Sequence, residues 1–279
     1  MTLPPPEKLV IFDYSGTLSL GAPRFGRPEN LRRALEESGL ASLGVATPEI
    51  FWDRIINPTW TAGSTTAVGY VRTMAERIAA LRLSPAPPGE IEAAASRFVE
   101  SYLAASRIDP RWRPILLRLS AFPAALSVVA TDHYAEVTES ILKDLKGWGI
   151  PASRIDKEGQ PPCPESFRFF IANSAWIGVW KADRRFWEAV RDRLAAVQLR
   201  RLLLVDDFGA NEEPGDSYSE HSKVLARREQ TLARLREIFR CAPETTPFVL
   251  PAEVWERPEA AGPLIAAAVA RIEEFLEEP

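Results

Sequence analysis

The sequence predicts an α/β fold, a parallel sheet whose first strand is followed by a long helical insertion. Leu9, Val10, Ile11 and Phe12 form an unbroken apolar run, the pattern of a strand buried on both faces. Similar runs recur at Leu126-Ser127-Val128-Val129-Ala130, Phe169-Phe170-Ile171-Ala172 and Leu202-Leu203-Leu204-Val205, with helical periodicity between them. Strands alternating with helices imply βαβ units and therefore a parallel sheet. From about Leu20 to Pro123 strand-like runs vanish, which marks the insertion.

The elements follow in order. After Phe12 the chain reads Asp13-Tyr14-Ser15-Gly16-Thr17-Leu18, a tight turn in which Gly16 takes backbone angles closed to other residues. Arg27 to Ser38, stopped by Gly39, is a helix with its C-terminal signal. Thr47-Pro48-Glu49 starts another, with a cap, a first-turn proline and an acid at the positive end of the dipole. Ile91, Ala94, Ala95, Phe98, Val99, Tyr102 and Leu103 recur at three- and four-residue steps, one buried helix face. Proline-rich breaks such as Ser84 to Gly89 separate these segments, and four or five helices are expected. Beyond the second strand run, helices are expected over Glu136 to Lys146, Asp183 to Val197 and Pro263 to Glu278, with a fifth strand at Pro247 to Leu250. The domain expectation is a core of residues 1–20 and 124–279 and a helical cap of residues 21–123.

Composition narrows the function classes. Among 279 residues, 46% are hydrophobic and 26% charged, an ordinary globular balance with core enough for about two domains. No apolar run has the roughly 18 residues of a membrane span, and the first residues lack the pattern of a signal peptide, so a cytoplasmic protein is expected. The net charge of −4, with bases scattered among acids, argues against nucleic-acid binding. Two histidines exclude a histidine-rich metal site, and Cys163 and Cys241 are expected as reduced thiols.

Four short segments at strand ends carry the chemistry. Asp13 follows the first strand, where open α/β sheets place their ligands. Thr131 and Asp132 follow the second, where a hydroxyl and the free amides of a helix start suit an oxyanion. Lys181 stands in Trp180-Lys181-Ala182-Asp183-Arg184-Arg185-Phe186-Trp187, and Asp206-Asp207-Phe208-Gly209-Ala210-Asn211-Glu212 follows the Leu202 run. Two adjacent carboxylates at the end of a buried strand are costly unpaired, and a hard divalent cation is their natural partner.

In order, spacing and placement these segments resemble the four motifs of the haloacid dehalogenase (HAD) superfamily, over residues 8 to about 212, in its helical-cap, phosphatase-like branch. The resemblance implies a Rossmann-like parallel core with an inserted all-helical cap. It implies a Mg²⁺-dependent hydrolase for a small phosphorylated metabolite, working through an aspartyl-phosphate. It assigns Asp13 as nucleophile, Thr131 as phosphoryl partner and Lys181 as the neutralising cation. It makes Asp207 the direct metal ligand, with Asp206 and either Asn211 or Glu212 in support, and with Asp13 and the Ser15 carbonyl completing the set. Asp132 is left as a helix cap or a proton carrier beside the substrate.

Two departures matter. Proline is missing at residue 182, and Ser15 stands where most family phosphatases have a second Asp that protonates the leaving group. Such proton transfer is worth about 10² to 10⁴ in rate. Three readings follow: a phosphatase with its acid supplied by Asp132, His133 or the cap, a member with other chemistry, or a weakly active or inactive ligand-binding relative. Family phosphonate hydrolases use a cap lysine, and there is none between Ser15 and Pro123. Family dehalogenases lack the paired acids that Asp206 and Asp207 supply. The cap carries thirteen arginines from Arg24 to Arg118, of which Arg24, Arg54 or Arg72 is suited to a second anionic group, and Trp52, Trp60 and Tyr70 as aromatic surface.

Overall fold

A computed structural model describes residues 6–156, 167–194, 199–213 and 215–278. Cys163 lies outside them, and Cys241 is a half-buried free thiol. The central strand β1 (Lys8–Phe12) is followed by seven α-helices: α1 (Gly21–Phe25), α2 (Pro28–Ser38), α3 (Pro48–Ile50), α4 (Asn57–Ser64), α5 (Tyr70–Leu81), α6 (Pro88–Ala105) and α7 (Arg113–Ala121). A π-helical stretch, Phe51–Ile56, joins α3 to α4. The remainder runs β2 (Ala125–Thr131), α8 (Ala135–Gly147), β3 (Ala152–Ile155), β4 (Phe169–Asn173), α9 (Ser174–Ile177), α10 (Arg184–Arg193), β5 (Arg201–Asp206), α11 (His221–Phe239), β6 (Pro243–Pro247) and α12 (Gly262–Glu277).

All six strands pair in parallel, in the order β3-β4-β2-β1-β5-β6. The α/β class and parallel sheet expected from sequence are thus what the chain adopts. β1 sits between β2 and β5, with Phe12 level with Val129 and Val205. Its side chains alternate between two cores, as the pleat requires. Leu9 and Ile11 pack with Phe186, Trp187 and Val190 of α10 and Leu235 of α11. Val10 and Phe12 face the other way, into a cluster shared with α8, α12 and the helices between β1 and β2.

One strand was not expected and one expected strand is misplaced, both at sheet edges. β3 has the sequence Ala-Ser-Arg-Ile and no apolar run, so its pattern was not legible. The last strand is Pro243–Pro247, not Pro247 to Leu250. An edge position tolerates its two prolines, whereas the apolar Phe248 and Leu250 are buried anchors beyond the strand. The insertion holds seven helices rather than four or five, because α1 and α3 are too short to show periodicity. α10 stops at Arg193, short of the expected Val197, which lies outside the described residues. No helix among the described residues is long and apolar enough to cross a membrane.

Candidate active site

The parallel sheet brings three of the four segments together, because the carboxyl ends of neighbouring strands lie side by side. Asp13 leaves β1, with its backbone N–H donating to Val205 O at 2.9 Å. Thr131 ends β2, and Asp206 and Asp207 end β5. The fourth group, Lys181, enters from the loop between α9 and α10, where its carbonyl accepts from Trp187 Nε1 at 2.6 Å. Asp13, Ser15, Thr131, Asp132, Lys181 and Asp207 line one cavity.

Its centre is an ion cluster. Lys181 Nζ, 3% exposed as a residue, donates to Asp13 Oδ1 at 2.5 Å and to Asp206 Oδ2 at 3.1 Å. Asp206 Oδ1 accepts from Phe208 N at 2.6 Å. Asp207 meets no cation among the described residues, and its oxygens accept from Gly209 N at 3.0 Å and Asn211 N at 2.8 Å. Both amides depend on a turn through Phe208 and Gly209, whose φ angles of 56° and 84° are left-handed. Asn211 then clamps three segments. Its Nδ2 donates to Gly16 O at 2.8 Å and Phe248 O at 2.7 Å, while its Oδ1 accepts from Leu250 N at 2.8 Å.

Electrostatics follow from this count of three buried carboxylates against one ammonium. Burial pushes Asp13 up to about 7, with Lys181 opposing the rise. Burial and then the Asp13 and Asp206 charges hold Asp207 well above the usual carboxylate range. Burial alone would lower the Lys181 ammonium, but Asp13 and Asp206 outweigh it and hold it well above its ordinary value. Ligand oxygens of Asp13, Asp206 and Asp207 all lie within 4.8 Å of one another. An acidic cluster with uncompensated charge and only oxygen donors fits a hard divalent cation such as Mg²⁺.

The other predicted residues fall into two groups. Asp132 is no helix cap: its Oδ1 accepts from Lys181 N at 2.9 Å and its Oδ2 from Tyr218 Oη at 3.1 Å, so it holds the lysine loop. Arg24, Arg54 and Arg72 are not among the residues lining the cavity, and Arg24 and Arg54 are exposed. His133 is buried and neutral, its value pushed down to about 3 by burial. Its Nδ1 accepts from Tyr134 N at 2.8 Å, which leaves the proton on Nε2, 2.6 Å from Tyr102 Oη. Glu212 lines the cavity and bonds to the Ser15 side chain; burial and then Asp216 push it up to about 8. His221 opens α11 and is exposed, far from this chemistry in role.

No family model matches the chain, and no curated protein matches it. Among solved structures the chain is similar to a 2-haloacid dehalogenase from Pseudomonas syringae pv. Tomato, at 19% identity over 76% of this chain and 83% of the other, TM-score 0.47. It is also similar to a haloacid dehalogenase-like family hydrolase from Xanthomonas campestris, at 14% identity over 95% and 94% of the two chains, TM-score 0.46. A predicted HAD-like family hydrolase from Porphyromonas gingivalis shares 12% identity over 98% of each chain, TM-score 0.44.

Proposed function

We propose that the chain is a HAD-like hydrolase, a Mg²⁺-dependent phosphatase for a small phosphorylated metabolite, with residues 21–123 as its cap. The observation that carries this reading is the buried cluster of Asp13, Asp206, Asp207 and Lys181, in which a carboxylate nucleophile at a strand end is surrounded by the groups that neutralise an incoming anion. Asp13, Asp207 and the Ser15 carbonyl would hold the metal, which offsets the negative charge of nucleophile and phosphoryl group. Asp206, bonded to Lys181 Nζ and Phe208 N, supports them.

The chain's own residues then act as follows. A carboxylate oxygen of Asp13 bonds to phosphorus as the ester P–O bond breaks. Lys181 and the Thr131 hydroxyl bind the phosphoryl oxygens. The departing alcohol oxygen takes a proton, which we assign to Glu212, because its carboxyl hydrogen-bonds to the side chain of Ser15, the residue that stands where most family phosphatases have the second Asp. Water next gives a proton to the Glu212 carboxylate and attacks phosphorus as the bond to Asp13 breaks, releasing phosphate and restoring both Asp13 and the Glu212 carboxyl. Asp132 and His133, offered by the sequence as proton sources, have their polar atoms engaged by Lys181, Tyr218, Tyr134 and Tyr102.

The decisive experiment is phosphate release from para-nitrophenyl phosphate, with Mg²⁺ and with chelator, in wild type and Asp13→Asn. Metal-dependent release lost in the variant supports the reading, and no release from wild type refutes it. A second reading, attack of Asp13 on a halogenated carbon, is favoured by Ser15 and by the apolar walls of the cavity. Halide release from a 2-haloacid that survives chelator would establish it.

A further inference from the structure

In front of the acids the cavity is walled by rings. Trp52 comes from the π-helical stretch, Trp60 from α4, Tyr70 from α5, Tyr102 from α6, Tyr134 from the turn after β2 and Tyr218 from the segment after β5. Among the described lining residues Lys181 is the one lysine or arginine, and it is committed to Asp13 and Asp206. A second anionic group on a substrate would meet Asp216, and Glu213 in its ion pair with Arg27 at 3.2 Å, and like charges repel.

The rings pack on one another. Tyr70 and Tyr134 stack at 3.9 Å with planes 3° apart, and Trp60 meets Tyr134 edge-on at 5.4 Å and Tyr218 at 5.8 Å. Glycines let them lie flush: a Cβ on Gly63 would fall 2.3 Å from Tyr134 Cε1, and one on Gly215 2.8 Å from Trp52 Cδ1. Three of the six rings have one face covered, since Tyr70 and Tyr134 stack on each other and the Arg227 guanidinium lies 3.3 Å over Tyr218, which reduces the surface open to a cation. What remains favours a flat, uncharged ring, which packs against aromatic edges. Trp52 Nε1 is buried without a hydrogen-bond partner among the described residues, and a ligand acceptor would relieve that cost.

We infer that this cavity holds the leaving-group half of the substrate and that the substrate's phosphoryl group is its single charge: the phosphomonoester of an uncharged aromatic alcohol bearing a hydrogen-bond acceptor. The inference rests on the phosphoryl-transfer reading, and it replaces the arginine-bound second anion expected from sequence.

Titration calorimetry in Mg²⁺ tests it with three phosphonates that resist hydrolysis: benzylphosphonate, phosphonoacetate with a second anion, and 2-aminoethylphosphonate with a cation. The expected result is a Kd for benzylphosphonate at least about tenfold below the other two, a preference lost in Trp60→Ala and largely kept in Trp60→Phe. Equal or tighter binding of either charged probe, or binding of none, overturns the inference in wild type alone, whether or not Trp60→Ala folds. Binding and turnover separate the two readings. A benzyl preference without any hydrolysis of para-nitrophenyl phosphate sinks the phosphatase and keeps the aromatic site, whereas hydrolysis without the preference does the reverse.

Discussion

Replacing the proposed nucleophile should make the metal-free protein more stable. In the folded chain Asp13 is 6% exposed and ionises at about 7 instead of near 3.8, because burial outweighs the help of Lys181. An acid whose folded value is raised binds its proton more tightly in the native state. Its contribution is therefore intact below about pH 4 and is lost as pH rises through about 7. At about 1.4 kcal/mol per tenfold change, the difference between 3.8 and about 7 amounts to about 4 kcal/mol above pH 8. Asn keeps an oxygen for Lys181 Nζ and removes the charge that repels Asp206 and Asp207. In chelator at pH 8.5, Asp13→Asn should then melt about 5–10 °C above wild type, taking relaxation to leave about 2–4 kcal/mol of the gain. At pH 4 the two should coincide, and Mg²⁺ should raise wild type more than the variant. Thermal melts at three pH values read all of this. A variant that melts at or below wild type at pH 8.5 in chelator would refute the charge count.

Three further outcomes are expected. Asn211→Ala strands Gly16 O, Phe248 O and Leu250 N, which should cost about 2–4 kcal/mol in urea unfolding; a loss under about 1 kcal/mol would show the clamp to be idle. His133 behaves oppositely to Asp13, because its folded value of about 3 lies below the ordinary 6.5. Its contribution is present above pH 6.5 and falls away toward about 3, reaching about 2 kcal/mol lost at pH 5, so His133→Gln should lose less stability between pH 7 and pH 5 than wild type. Parallel melting curves for the two would contradict a buried neutral ring. Glu212→Gln should slow alkyl phosphate esters by about 10² or more, and para-nitrophenyl phosphate by under about tenfold, since that leaving group needs little protonation. An equal loss on both substrates would remove Glu212 from the proton step.

How much of this was written in the sequence depended on burial. β1, β2, β4 and β5 are covered on both faces, so their residues are apolar without interruption and their ends, with Asp13, Thr131, Asp132, Asp206 and Asp207, could be placed. β3 and β6 lie at the edges, where one side of the strand has no sheet neighbour and polar residues and prolines are tolerated, so no pattern marked them. Lys181 was found through motif order alone, since nothing in its neighbourhood announces a buried ammonium. Trp52, Trp60 and Tyr70 were legible as aromatic surface of the insertion, but not that Tyr102, Tyr134 and Tyr218 would join them from three other segments. The arginines misled for the same reason: periodicity says which residues share a helix face, not which face meets the cavity. Asn211 was noticed only as a stand-in acid, whereas its work is to bind three backbone groups from two other segments.

The helices between β1 and β2 share one continuous apolar cluster with the sheet, and Ser174 Oγ at the start of α9 donates to Ser64 O at the end of α4 at 2.5 Å. A helical segment packed in this way has no seam along which it could be exchanged. A recombination event that imported a foreign helical segment would bring apolar faces mismatched to Phe12, Val129 and Phe248, and would be selected against as a folding defect before its new selectivity could be used. On the aromatic-cavity reading, selectivity would then change one ring at a time, through substitutions such as those at Trp60 or Tyr218 that reshape the wall.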